Sequence, residues 1–278
     1  MKNSSPSFPS DHLPVTRDLT LAYVLSLVVA LLMAVASAAG LLYKTNIYPT
    51  EELLKTFVSN DVVNLLMGLP ILLGSMWLVR HGKLIGLLFW PGALFYALYN
   101  YFVYVLGMPL ALTSLVYLAL VTLSAYTLFS LVAGIDGPAV QQRLTGAVPE
   151  RFAGGVLTGL GALFFLRAIG VLVSALINQT LLARTEVALH VADLIITPAW
   201  VMGGILLWRR RALGYVTGAG LLFSASMLFI GLLVFFVLQP FLTATPFPLA
   251  DFVVIFVMGL VCFIPFALFV RGAASKGE

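Results

Sequence analysis

Apolar residues fall in long runs along this chain, with polar residues gathered between them. Eight runs are long enough to cross a bilayer, which takes about 20 apolar residues: residues 19–43, 61–79, 84–106, 109–133, 152–177, 187–208, 212–238 and 249–270. None alternates with the two-residue period of a barrel strand. A backbone exposed to lipid must satisfy its own hydrogen bonds, so each run predicts a helix. The fold class expected is an all-α polytopic membrane protein with eight transmembrane helices, set as two parallel four-helix pseudo-repeats. The expected organisation is a flexible cytoplasmic tail at 1–18, four-helix units at 19–134 and 152–271, a linker at 135–151 and a cytoplasmic tail at 272–278.

Three segments carry further signals. Leu21–Met33 followed by Ala34, Ala36 and Ala38 has the layout of a signal peptide. The apolar run continues through Tyr43, however, so a retained first span is expected. Residues 49–58 open with a Thr50 N-cap and acids at Glu51 and Glu52. Leu53, Leu54, Phe57 and Val58 then share one side, which predicts a short helix lying on the outer membrane surface. Residues 135–151 open with Asp136-Gly137-Pro138 and close with Val148-Pro149-Glu150, marking a hinge between halves.

The pseudo-repeat rests on an ungapped overlay of 62–84 on 191–213. Six positions match: Val62/Val191, Leu65/Leu194, Gly74/Gly203, Leu78/Leu207, Arg80/Arg209 and Leu84/Leu213. Asn64 falls on Asp193, Asp61 falls on His190, and Pro70 and Pro198 miss by one residue. Four spans per unit would keep both units in one orientation, about an axis along the membrane normal.

Composition agrees: 61% of residues are hydrophobic and 9% charged, against about 25% charged in soluble domains. A soluble enzyme, a disordered chain and a disulfide-stapled domain are excluded. Charge then orients the helices. With the N-terminus inside, eleven basic residues fall on the cytoplasmic side: Lys2, Arg17, Arg80, Lys83, Arg143, Arg151, Arg209, Arg210, Arg211, Arg271 and Lys276. Lys44, Lys55 and Arg184 fall outside, and Arg167 lies within a span. This asymmetry predicts a multi-pass protein of the cell membrane with both termini cytoplasmic.

Ionisable groups within spans are costly and mark functional sites. The candidates are Asp61, Asn64, Asn100, Arg167, Glu186, His190, Asp193 and Asp251, nearly all in the outer half of the membrane. Glu186, His190, Asp193 and Thr197 are spaced four, three and four apart, so they form one helical stripe. That stripe suits proton or substrate handling, and Glu186, His190 and Asp193 are a weak metal-ligand set. Arg167 is expected to pair with Asp193, or failing that with Asp61 or Asp251. Tyr96, Asn100 and Tyr104 are expected to face inward from span three, while the neighbouring tyrosines read as an interfacial belt. The small-residue motifs Gly155-x-x-x-Gly159 and Gly214-x-x-x-Gly218 predict close helix contacts. Pro70, Pro91, Pro198 and Pro265 predict kinks or breaks.

Other chemistries have no support. One cysteine, Cys262, forms no intrachain pair. His12, His81 and His190 are placed to bracket no haem, no lysine lies within a span, and no nucleotide loop occurs. No cofactor and no nucleic-acid partner is expected. The leading reading is a small-solute or ion transporter with an outward-facing polar site. The alternatives are an enzyme acting on a lipid-like substrate at the outer leaflet, or a non-catalytic subunit of a membrane complex. Expected partners are the bilayer and a small solute or lipid, in a possible homo-oligomer or larger complex.

Overall fold

A computed structural model describes residues 13–243 and 245–275, so Lys2, His12 and Lys276 lie outside the described residues. Among the described residues, eight helices are long and apolar enough to cross a membrane: Thr20–Leu42, Glu51–Arg80, Leu84–Gly107, Leu112–Ala133, Glu150–Asn178, Arg184–Trp208, Ala212–Leu242 and Leu249–Ala274. They are called spans one to eight. The chain is an all-α, multi-pass integral membrane protein, with its apolar outer faces against lipid.

Span two differs most from expectation. It starts at Glu51, with Thr50 accepting a hydrogen bond from the Leu53 N–H at 3.3 Å. Leu53, Phe57 and Val58 are buried in the bundle. The helix expected on the membrane surface is therefore the first turns of span two. The reason is local: nothing in Ser59-Asn60-Asp61 breaks a helix, Ser59 donates back to carbonyls of its own helix, and Tyr48 and Tyr104 satisfy Asp61. Over Asn64–Gly68 the helix takes π-helical hydrogen bonding, just before Pro70. This spacing accommodates a residue that lacks an N–H. Spans three, six and eight run unbroken through Pro91, Pro198 and Pro265, and span seven through Pro240.

Span three is buried along most of its length and forms the centre of the bundle with span seven. The two approach most closely at Gly92 and Gly220, where a Cβ on either residue would enter the other's backbone. Spans five and six meet through Gly154 and Gly204 in the same way, whereas Gly159 faces open space. The expected Gly155-x-x-x-Gly159 contact is thus shifted by one face. Neighbours recur at a spacing of four spans. Spans one–two, two–three, three–four and one–four pack together, as do five–six, six–seven, seven–eight and five–eight. Span three also packs on span six, and span seven on span two.

Alternating spans divide the loops between two ends. The Arg-rich end carries the turns 81–83 and 209–211 and the linker. In that linker Asp136 caps the helix Gly137–Leu144 by accepting from the Ala139 N–H at 3.1 Å. Val15 bridges to Ile135, and Thr16 N–H donates to the Gly134 carbonyl at 2.8 Å. In the turn before span seven, Arg210 adopts the left-handed φ of 54°. Gln141 Nε2 donates to its carbonyl at 2.8 Å, and its guanidinium lies 3.8 Å from Glu150.

Candidate functional site

Span three presents hydrogen-bonding side chains on several sides, because it is enclosed on all of them. Toward span two it offers Tyr96, Asn100 and Tyr104, toward span one Tyr101, and toward span six Tyr99. All five are buried. Tyr99 and Tyr101 are therefore core donors, not members of an interfacial belt.

The first cluster surrounds Asp61 and Asn64. With the helix starting at Glu51, Asp61 stands about 15 Å along span two at 1.5 Å per residue, well below its end. Its Oδ2 accepts from the Tyr48 hydroxyl at 2.6 Å and its Oδ1 from the Tyr104 hydroxyl at 2.8 Å. Tyr48 lies in the connection before span two, and burial pushes its phenol far above the ordinary range, so it remains a donor. A Cβ at Gly40 would overlap this carboxylate and hydroxyl, which explains a glycine there. Asn64 Oδ1 accepts from the Tyr96 hydroxyl at 2.7 Å and from Asn100 Nδ2 at 3.1 Å, while its Nδ2 donates to Ser37 Oγ at 3.3 Å. Asn100 must point its amide nitrogen at Asn64, since the reverse setting would oppose two oxygens. Its own Oδ1 is consequently left buried without a partner.

The second cluster lies on span six, where the expected stripe divides. Asp193 is buried and accepts from the Tyr99 hydroxyl at 2.9 Å. Thr197 donates to the Asp193 backbone carbonyl at 2.6 Å instead of joining the carboxylate. His190 is buried with Nδ1 unpartnered, and Glu186 is exposed, its Oε2 accepting from the Ala183 N–H at 3.2 Å. No three His, Cys, Asp or Glu among the described residues converge as metal ligands, so Glu186, His190 and Asp193 do not form a ligand set.

The expected ion pair is also absent. Among the described residues Arg167 makes no salt bridge and its side chain is exposed on span five. Its charge still reaches Asp193, Tyr99 and His190 electrostatically. The physical reason is that Arg167 lies on an exposed face of span five, while Asp61 and Asp193 are buried against tyrosine hydroxyls. Asp251 is exposed in the first turn of span eight, away from both clusters.

Between spans two, three, six and seven lies a cavity of about 220 Å³. Thr56, Ser59, Asn60, Thr185 and Glu186 form its mouth, at the end opposite the arginines. Tyr96, Tyr99 and Asn100 form a wall, and Trp200 and Ser224 lie deepest. Most of the lining is apolar. Two of the lining residues, Asn100 and Trp200, each carry a fully buried polar atom, the acceptor Oδ1 and the donor Nε1, with no partner among the described residues. Glu52 ties the mouth together, accepting from Thr185 N–H at 3.1 Å and from Thr185 Oγ1 across to span six. Of the residues expected to form a site, Asn100 and Glu186 line this cavity. Asp193 stands behind Tyr99 and Asn64 behind Tyr96 and Asn100, while Asp61 bonds to Tyr104 and Tyr48, which do not line the cavity. Trp200, Tyr99 and Glu52 were not expected in the site. The signal for Trp200 was an indole deep in a span, whose N–H requires an acceptor. Compared with known protein families, curated proteins and solved structures, the chain matches none.

Proposed function

We propose that this protein is a transporter for a small uncharged solute that has an apolar body and at least one hydrogen-bond donor and one acceptor. The observation that carries this reading is that two residues lining the cavity, Asn100 and Trp200, each hold a buried polar atom, Oδ1 and Nε1, without a partner among the described residues. A buried polar atom left unpaired costs about 1–3 kcal/mol, and a bound solute with complementary groups relieves both. The volume supports a small cargo: about 220 Å³ is below the roughly 300–1,000 Å³ of sites for drug-sized ligands. The only carboxylate in the lining is Glu186, exposed at the mouth. An uncharged cargo fits that lining better than a metal ion, and binding fits it better than acid–base catalysis.

The recurrence of neighbours at four-span spacing supports two related units, with the cavity at their junction. In duplicated transporters the site lies between repeats, beside helices interrupted at corresponding places. Here span two departs from α-helical bonding at Asn64–Gly68 before Pro70, and span six carries Pro198, which removes a backbone donor without breaking the helix. The basic asymmetry of the loops supports a mouth open to the outside. The test is uptake into proteoliposomes of three labelled probes: N-acetyl-leucine amide, mannitol and sodium ion. Uptake of the amide above protein-free vesicles is expected, with a fall of at least about tenfold in Trp200→Phe and Asn100→Leu, the equivalent of about 1.4 kcal/mol. Uptake confined to sodium would overturn the proposed cargo.

A further inference from the structure

A second hollow lies across span three from the cavity, and its lining is of a different kind. It encloses about 570 Å³ between spans three, four, six and seven, and nearly every lining group is apolar. Phe95, Phe129, Ile195 and Met202 are among its walls, with Gly92 and Gly220 on its floor. Ile195 and Met202 are 56% and 64% exposed, so the groove is open along the membrane face. Span four packs on spans one and three, and spans four and six diverge. The groove therefore opens sideways into the hydrocarbon region. The one hydroxyl among its described lining residues, that of Thr217, already donates to the Leu213 carbonyl, so an aqueous solute finds little to bind there.

What sits at its end identifies the occupant. On span six the lining residues Ile195, Ala199, Met202 and Leu206 follow helical spacing, and three residues further on is Arg209. On span seven the lining starts at Leu213. The groove thus ends at the turn Arg209–Arg211, which joins those two walls. Arg210 is engaged by Glu150. Arg209 and Arg211 are exposed and make no salt bridge among the described residues. On the facing wall the lining ends at Val132, two residues before Gly134, and the Cβ of Arg17 stands beside Gly134. Of the acids at this end, Asp136 accepts from the Ala139 N–H, and Asp18, next to Arg17, accepts from the Thr20 N–H and hydroxyl.

We infer that this groove holds an acyl chain of an anionic phospholipid from the leaflet on the Arg-rich side, with the headgroup phosphate between Arg209, Arg211 and Arg17. An apolar channel at acyl depth that ends in free guanidinium groups at headgroup depth matches the two halves of such a lipid. Basic pockets between transmembrane helices bind anionic headgroups in this way. The site would also brace the turn in which Arg210 holds a left-handed conformation.

The test uses the full chain purified from vesicles of equal phosphatidylglycerol and phosphatidylethanolamine, with retained lipid counted by native mass spectrometry. One retained phosphatidylglycerol per protein is expected. Losing both charges in Arg209→Gln/Arg211→Gln should weaken its retention about 30-fold, at the usual strength of surface charges on anionic membranes. Met202→Trp fills the groove from an exposed position and should expel the lipid with the arginines intact. If Met202→Trp lowers the thermal midpoint, Ile195→Phe replaces it. Lys83→Gln/Arg271→Gln removes charge from the same end away from the groove and should leave retention unchanged. Four results would each overturn the assignment: no retained lipid, equal retention of both lipids, retention unaffected by filling the groove, or equal loss in the Lys83/Arg271 variant.

Discussion

Ser26 and Ser124 are wholly buried serines in the membrane interior, and their hydroxyls stand in opposite situations. Ser26 Oγ accepts from the buried indole N–H of Trp90 at 2.9 Å. Ser124 Oγ has no partner among the described residues. Ser26→Ala is expected to cost about 1–3 kcal/mol because it orphans a buried donor, whereas Ser124→Ala should cost nothing or stabilise. Thermal unfolding of the detergent-solubilised protein separates the two, and equal midpoints would show that these hydroxyls are not differently satisfied. The same accounting applies to Asp193. Asp193→Asn keeps an oxygen to accept from Tyr99 but removes the negative charge near Arg167. Under the transport reading, the unfolding midpoint should stay within about 1 kcal/mol of the parent while proteoliposome flux is lost. Flux at the parental level would sink the role of that charge. At this scale the sequence identified the polar residues within the spans but not their partners. Asp193 is held by Tyr99, which local spacing makes look like an interfacial belt residue, and Asp61 by Tyr48 from the preceding connection together with Tyr104, which was expected to face inward. The choice between belt and core depends on whether span three is central, and that is a property of the assembled bundle.

Gly92 and Gly220 are an element-scale feature, because they set how closely the two central helices cross. A Cβ on either would stand within 3 Å of the other's backbone, so neither helix yields by rotating a side chain. Gly92→Ala and Gly220→Ala should each destabilise by about 1–3 kcal/mol, the usual cost of overpacking. The double variant should cost less than their sum, since one displacement of the helices accommodates both. Unfolding midpoints of the two singles and the double check this, and strict additivity would mean that the crossing is not shared. The helices themselves were legible because runs of about 20 apolar residues leave no other structure in a bilayer. Their ends were less so. The start of span two was obscured because Ser59-Asn60-Asp61 resembles a membrane boundary when read by polarity, yet Asp61 is buried against Tyr48 and Tyr104. The Gly155-x-x-x-Gly159 motif misled by one face, since Gly154 has the same spacing to its neighbours and only packing distinguishes them.

For the molecule as a whole, the side to which the cavity opens decides what it meets, and the distribution of basic residues bears on that side. Of the basic residues assigned to the inner side, Arg17, Arg80, Lys83, Arg143, Arg151, Arg209, Arg210, Arg211 and Arg271 are described and lie at one end. Lys44, Lys55 and Arg184 lie at the other. The cavity mouth belongs to the sparse end, through Thr56, Thr185 and Glu186. This asymmetry was readable without a structure, because it needs only the order of spans. The cavity was not, because its lining comes from four helices distant in the chain and its two decisive atoms are defined by what they fail to touch. The chain suits a direct test of orientation, since its single cysteine, Cys262, is wholly buried and should resist labelling. Cysteine placed at Thr180, exposed in the loop after span five, should react with a membrane-impermeant maleimide in intact cells. Cysteine placed at Gln142, exposed on the linker helix, should react only after permeabilisation. The reverse pattern would turn the cavity toward the cytoplasm and place the apolar groove's arginines in the outer leaflet. Uptake of an external solute through an outward-facing site would then be untenable, whereas the hydrogen-bonding complement offered by Asn100 and Trp200 would stand unchanged.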